Sequence, residues 1–541
     1  MTDLRENLFF ILPNAMTPAA DVNAVGSKAW GLMCMARQGL RVPPAFVLGT
    51  AVCRDYLARG AGLSDEARGL LDAGLARLAD ATGQRFGDAR RPLLLAVRSG
   101  APVSMPGMMD TVLNVGLSDH TLGGFLRSTG NPRLVRDCYR RLVRDFTTVV
   151  RGATAAPFDA LVERRFREEG VASARELDSA SLRELCVQSL EVALTTGGKP
   201  FPQTPMDQLE QAVGAVFRSW NSERARHYRR LNGIDDRMGT AVTVQAMVFG
   251  NGGSTSGAGV GFTRDPATGE NRLYFDFLFN AQGEDVVSGR YPLHDSARLE
   301  RQLPLVAQEL QRIKLLLEEE FRDVQDFEFT VADGKLYLLQ TRAGKRTPWA
   351  ALRMAVDLVR EGKMTPSEAL AKLQAYKLES IERARLTDCE GTQPLATAVT
   401  ASIGVAVGAL AFDSRRAVEL AAQGQPVVLA RTEIATEDVA GIAAADGVLA
   451  AAGGRTSHAA VVARQLGKVC LVGCSGLAID ASGHSCQIGG HRLREGELIT
   501  LDGDTGCVYR GSLPVIHEHP DRELAEIRRW RAASEAVTQS P

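Results

Sequence analysis

The 541-residue sequence contains no apolar run approaching the ~20 residues needed to cross a bilayer, and its formal net charge is only −1. The first absence argues against a membrane span. The second argues against bulk attraction to nucleic acid or to a membrane surface. There is no G-x-x-x-x-G-K-[ST] segment, so phosphate binding of the Walker type is excluded. The nine cysteines are scattered and odd in number, with no C-x-x-C pair. Cys470 and Cys474 form a lone C-x3-C without a second pair, so reduced, mostly buried thiols of a cytoplasmic protein are expected rather than a zinc site. Leu8-Phe9-Phe10-Ile11-Leu12 is too short for a signal-peptide core and ends at Pro13. No internal repeat or low-complexity tract stands out.

What remains is an ordinary globular composition, 45% hydrophobic and 23% charged, in a chain long enough for three or four domains at ~150 residues each. Gly26-Ser27-Lys28-Ala29-Trp30-Gly31-Leu32 opens an amphipathic helix ending near Gly39. Leu93 to Val97 reads as a buried strand delivering Arg98 and Ser99 at its end. From about 115 to 235 the pattern is helical, and the arginines between Arg136 and Val150 read as a solvated face. Strand character returns from Ala241 to Phe249, followed by the glycine-rich turn Gly250 to Gly259 and a strand from Val260 to Thr263. Residues 343 to about 390 read as helices with charged faces. From about 395 to 513 the composition shifts to Ala, Gly and Val in short strands and helices. The last stretch, from Pro514, carries one charged helix, Arg522 to Ala533.

Two places concentrate chemistry. The runs Asp326 to Val331 and Leu336 to Arg342 flank Asp333-Gly334, a hairpin signal. Side chains alternate across a strand, so Asp326 and Glu328 share a face, as do Gln340 and Arg342; a three-residue loop sets Glu328 opposite Gln340. Two carboxylates, an amide oxygen and a guanidinium then suit Mg²⁺ and nucleotide phosphates, against the plainer reading of a cross-strand ion pair. The second place is Gly453-Gly454-Arg455-Thr456-Ser457-His458, which runs into a helix. Unpaired N–H groups at a helix start favour an anion and disfavour imidazolium, so a histidine there is a neutral nucleophile suited to carrying a phosphoryl group. The plainer reading is a capping or buried histidine, and Thr456 and Ser457 are most simply cap residues.

The run Gly453 to Arg464 resembles, almost letter for letter, the phosphohistidine motif of the pyruvate phosphate dikinase family. The segments Val97 to Thr111, Gly250 to Gly259 with Phe262-Thr263-Arg264-Asp265-Pro266, Asn280 to Val286, and Leu339-Gln340-Thr341-Arg342 resemble the same family in the same order. The resemblance extends to about residue 513 and implies a multi-domain α/β and α+β architecture. Residues 1–342 would be an ATP-grasp nucleotide-binding domain with a helical insertion at about 115–235, and 343–394 a helical connector. Residues 395–513 would be a compact α/β swivelling phosphohistidine carrier domain, and 514–541 a tail.

Carried over by position, Lys28, Arg98 and Arg342 would hold the ATP phosphates, with Gly252, Gly253, Ser254, Thr255 and Gly257 letting backbone N–H groups approach them. Glu328 and Gln340 would bind Mg²⁺, with Asp326 beside them. His458 would be the phosphoryl carrier, and Arg98 and Arg342 would be catalytic. The activity implied is a phosphotransferase releasing AMP and, with inorganic phosphate, pyrophosphate. The family's C-terminal (β/α)8 barrel needs ~200 residues, and residues 514–541 cannot supply it. Pyruvate on a separate barrel subunit is therefore the expected acceptor. A different acceptor, or a non-catalytic nucleotide-sensing module, is the alternative. Neither nucleic acid nor membrane is expected as a partner, and homo-oligomerisation is left open. Arg455 stands where the family motif usually carries methionine. It either helps hold an anion beside His458 or faces solvent without a role.

Overall fold

A computed structural model of the chain describes residues 4–13, 19–60, 62–103, 105, 109–287, 296–387, 391–434, 438–455, 457–480 and 483–538. They divide into two compact units, residues 1–252 with 337–342, and residues 253–336 with 343–541. The division at 252 runs through the stretch read from sequence as one domain. No helix among the described residues is long and apolar enough to cross a membrane.

In the first unit, strands β1 (Leu8–Ile11), β2 (Ala45–Leu48), β3 (Leu95–Gly100), β4 (Thr111–Val115) and β5 (Ala241–Ala246) form an antiparallel sheet in the order β1-β2-β5-β3-β4. β2 and β5 are buried along their whole length, and β2, Ala-Phe-Val-Leu, accordingly runs apolar instead of alternating. Helix α1 (Val22–Arg37) is N-capped by the Asp21 carboxylate, which accepts from the Asn23 N–H. Helices between Asp119 and Leu231 fill the predicted insertion, and their apolar faces join Phe46, Leu95, Val97 and Val244 of the sheet in one core. One expectation fails in helix α2 (Pro132–Asp145). Arg140 is buried, not solvated, and Asp137 holds both Arg140 (2.8 Å) and Arg141 (2.9 Å).

In the second unit, β6 (Gly257–Phe262), β7 (Tyr274–Phe279) and β8 (Gln325–Ala332) form antiparallel neighbours in the order β8-β6-β7. Asp333 and Gly334, at φ 48° and 73°, make the turn out of β8, with β9 (Lys335–Ala343) following. The turn has two residues where three were expected. Helix α3 (Pro304–Phe321) supplies Glu318, which is fully buried against Arg264 through two hydrogen bonds of 2.9 Å. Glu361 and Lys363, just after helix α4 (Pro348–Arg360), complete this charge cluster, and the mutual pairing is what makes its burial tolerable.

Helix α5 (Pro366–Leu373) and helix α7 (Asp521–Thr538) share a core with α4 that includes Leu352, Val356, Leu373, Leu524 and Ile527. Strand β10 (Arg383–Leu386) pairs antiparallel with β15 (Val515–Glu518). Residues 514–538, expected as a tail, are thus packed into the connector layer. Between the two strands of this ribbon lies the domain containing His458. Its eight-stranded sheet has a parallel centre, β11 (Val405–Ala411), β12 (Val427–Arg431), β13 (Gly447–Ala450) and β14 (Val469–Val472), with helix α6 (His458–Gln465) leading into β14.

Candidate functional site

In the first unit the site is built from a backbone interruption. Gly26 sits at φ 77°, ψ 158° inside α1, and a Cβ there would stand 1.8 Å from the Gly100 carbonyl oxygen. Only glycine permits this approach. Ser27 then docks through its N–H and its hydroxyl on the Ala101 carbonyl, at 2.9 and 3.0 Å. Regular helix restarts with Lys28 in its first turn, against the end of the strand that carries Arg98. Arg98 donates from Nη1 to the Leu339 carbonyl (2.7 Å) and from Nη2 to Gln340 Oε1 (3.2 Å). Arg98 and buried Gln340, far apart in sequence, are therefore neighbours, and an amide oxygen that accepts one hydrogen bond keeps a second lone pair. Arg342, two residues on, is half-buried.

In the second unit the strand register decides the site. Asp326 pairs with Phe262 and Phe262 with Tyr274; Glu328 pairs with Val260 and Val260 with Asp276. Directly paired residues project to the same side, so Asp326, Glu328 and Asp276 share one sheet face. The opposite face is aromatic. Phe327 and Phe329 of β8 and Phe275, Phe277 and Phe279 of β7 flank Gly257, Gly259 and Gly261 of β6. A Cβ on Gly257, Gly259 or Gly261 would fall 2.2–2.4 Å from a phenylalanine ring carbon. Gly257 and Gly259 thus belong to a strand, and the rings above them require glycine there. This corrects the reading of Gly257 as a phosphate-approach position. Gly252, Gly253, Ser254 and Thr255 do lie in the turn.

His458 is the first residue of α6, as expected; its side chain and Thr456 lie outside the described residues, as do Ser104 and Pro106 to Met108 of the first motif. Ser457 is the N-cap, its hydroxyl accepting from the Ala460 N–H. Helix α6 is seated on the carboxylate face of the sheet. Arg464 lies 5.2 Å from the Phe262 ring centroid and Arg455 5.0 Å from that of Tyr274. Arg455 is therefore half-buried on an aromatic ring, and the solvent-facing alternative for it falls away. Burial holds the Arg464 guanidinium below the usual arginine range, against the pull of Cys470, Asp326, Asp265 and Asp276. Burial pushes the Asp276 carboxyl up to about 7, with Arg464 opposing. It likewise pushes the Cys470 thiol up to about 12, so a reactive thiolate is disfavoured there.

Strand β7, with Tyr274 and Asp276, was missed from sequence, although Tyr274-Phe275-Asp276-Phe277-Leu278-Phe279 carries the aromatic enrichment of a strand. Among the described residues no three His, Cys, Asp or Glu side chains converge into a metal cage. Asp326 and Glu328, two hard-oxygen donors on one face, fit a Mg²⁺ ion that takes its other ligands from phosphate and water.

Residues 70–306 match the family model of the pyruvate phosphate dikinase AMP/ATP-binding domain, and residues 423–506 match that of the mobile domain of PEP-utilising enzymes. The chain is 42% identical over 511 residues to pyruvate, phosphate dikinase of Clostridium symbiosum, covering 94% of this chain and 58% of that protein. Against the Rhizobium meliloti (strain 1021) dikinase it is 40% identical over 532 residues (96% and 59%), and against the chloroplastic pyruvate, phosphate dikinase 1 of Zea mays 42% over 508 (94% and 54%). The chain thus spans somewhat more than half the length of these relatives. Two family models matched in order along the chain, with 40–42% identity along nearly all of its residues, mean that the chain belongs to the pyruvate phosphate dikinase family.

Proposed function

We propose that the chain is an ATP-dependent phosphotransferase that carries its phosphoryl group on His458. In this reading an imidazole nitrogen of His458 attacks the β-phosphorus of ATP; the bond from that phosphorus to the α-phosphate oxygen breaks, and AMP leaves. An oxygen of inorganic phosphate then attacks the terminal phosphorus of the pyrophosphoryl-histidine. Pyrophosphate leaves and phosphohistidine remains. Lys28, Arg98 and Arg342 hold the phosphates, and the turn from Gly252 to Thr255 offers them backbone N–H groups. Asp326, Glu328 and Gln340 would hold Mg²⁺, which when bound would neutralise phosphate charge. Such catalysis is mainly positioning and charge neutralisation, which is why several cations are needed.

One observation carries this reading: α6, which starts at His458, rests through Arg464, and the segment before it through Arg455, on the sheet face that holds Asp326 and Glu328. The first and central domains then act as an ATP-grasp module and a swivelling carrier, with the β10–β15 ribbon as the tether. The phosphoryl group then passes to an acceptor, and pyruvate, for which the relatives are named, is the acceptor proposed. Incubation with β-³²P-ATP and Mg²⁺ is expected to put acid-labile label on the wild type and release AMP, and to put none on His458→Ala. Equal labelling of the two proteins, or none on either, would overturn it.

A further inference from the structure

Beside the start of α6 lies a cleft of about 350 Å³, lined among others by Asp265, Arg272, Tyr274, Arg455, Arg464 and Asp504. Counting formal charges alone would make this lining neutral, but its carboxylates are already engaged. Asp265 accepts from the Ala267 and Thr268 N–H groups at 2.8 and 3.1 Å and faces Arg272 at 4.0 Å. Asp504 faces Arg383 at 3.9 Å and Arg385 at 3.7 Å. Glu270 is exposed to solvent.

The two remaining cations have no such partner. Among the described residues, neither Arg455 nor Arg464 has a carboxylate within 4.0 Å. Arg464 is only 1% exposed. It donates from Nε to the Ala460 carbonyl and from Nη2 to the Arg455 carbonyl, at 3.2 and 2.7 Å, which leaves Nη1. Arg455 Nε is buried with no hydrogen-bond partner. Asp276 and Asp326 act on Arg464 only through space. Two desolvated guanidiniums without a counter-ion, the Arg464 fork tied to the Arg455 backbone carbonyl, are unfavourable alone and favourable around an oxyanion. Their planar forks match phosphate oxygens in geometry as well as charge.

We propose that Arg455 and Arg464 form a subsite for a free phosphate-type oxyanion in this cleft. Resting on the function proposed above, the subsite takes the inorganic phosphate that receives the terminal phosphoryl group, and keeps it close to the start of the carrier helix. The same chemistry could instead serve a phosphoryl group attached to His458, and the test separates the two sources.

Calorimetric titration of the full chain with inorganic phosphate, without ATP, tests the subsite. The wild type is expected to bind phosphate. Arg455→Met, which installs the residue usual in the family motif, is expected to weaken binding by about tenfold or more, as loss of a charge-assisted fork should. Arg464→Lys, which keeps the charge and loses the fork, is expected to weaken it as well. His458→Ala is expected to bind as the wild type does. No binding by the wild type, wild-type binding by Arg455→Met, or loss of binding in His458→Ala would each overturn the proposal. Because no nucleotide is present, the outcome is read independently of whether ATP labels His458.

Discussion

Asp276 is a carboxyl taken out of water, 6% exposed, with Oδ2 finding no hydrogen-bond partner. Burial raises its pKa to about 7, and the Arg464 charge offsets only part of that. An aspartate in the unfolded chain ionises near about 4. Between these values the folded protein keeps a proton that the unfolded chain releases. The contribution of this group is therefore fully present below pH ~4 and is lost as pH rises toward 7, at up to about 1.4 kcal/mol per pH unit. Asp276→Asn cannot ionise, so its unfolding free energy in urea should change less between pH 5 and pH 8 than that of the wild type. At pH 8 the variant should be the more stable by on the order of 2 kcal/mol. Identical pH slopes for the two proteins would mean that Asp276 is not the group responsible. At this scale the sequence singled out Lys28, Arg98, Asp326, Glu328 and His458, because each sits in a motif with a chemical reason. It was silent about Asp276, whose character comes from register with Val260 and from the helix laid over it.

The strand β6 shows what alternation can conceal. Its sequence Gly-Ala-Gly-Val-Gly-Phe has period two, but glycines read first as a turn, so the strand was expected to start at Val260. Each glycine instead lies under a phenylalanine, and Phe277 and Phe329 stack across the strand at 5.8 Å. A Cβ on Gly259 would meet Phe329 Cζ at 2.3 Å and the Asp276 carbonyl oxygen at 2.7 Å, and the second of these is backbone that cannot step aside. Gly259→Ala should therefore cost about 3 kcal/mol of stability, read as a lowered urea midpoint, by overpacking. Gly283→Ala, where the added carbon meets no atom within 4 Å, is the control and should leave the midpoint nearly unchanged. Equal midpoints for Gly259→Ala and wild type would show that the sheet yields more easily than its geometry implies. The same aromatic face explains why β6 holds its place, and with it the carboxylate face on its other side.

Across the whole chain, motif order was readable from sequence and the assignment of elements to compact units was not. A periodic pattern reveals which face of an element is apolar, but not which partner covers it. The segment from Pro514 illustrates this: its charged helix was read as part of a tail. Yet Leu524 and Ile527, 5% and 1% exposed, are in the core of α4 and α5, and the strand before them pairs with β10. The two chain crossings into and out of the His458 domain are thereby bound to each other. Arg383 and Arg385 both reach Glu518, at 2.8 and 2.9 Å, across the ribbon. Such rim ion pairs contribute little alone, so the ribbon depends on the apolar docking of α7 that follows it. Ile527→Asp would place an unpaired carboxylate in that core. It should lower stability by about 3–5 kcal/mol in urea unfolding and hasten proteolytic cleavage within residues 515–538. A variant with the wild-type midpoint and cleavage rate would show that α7 is dispensable and that the ribbon holds without it.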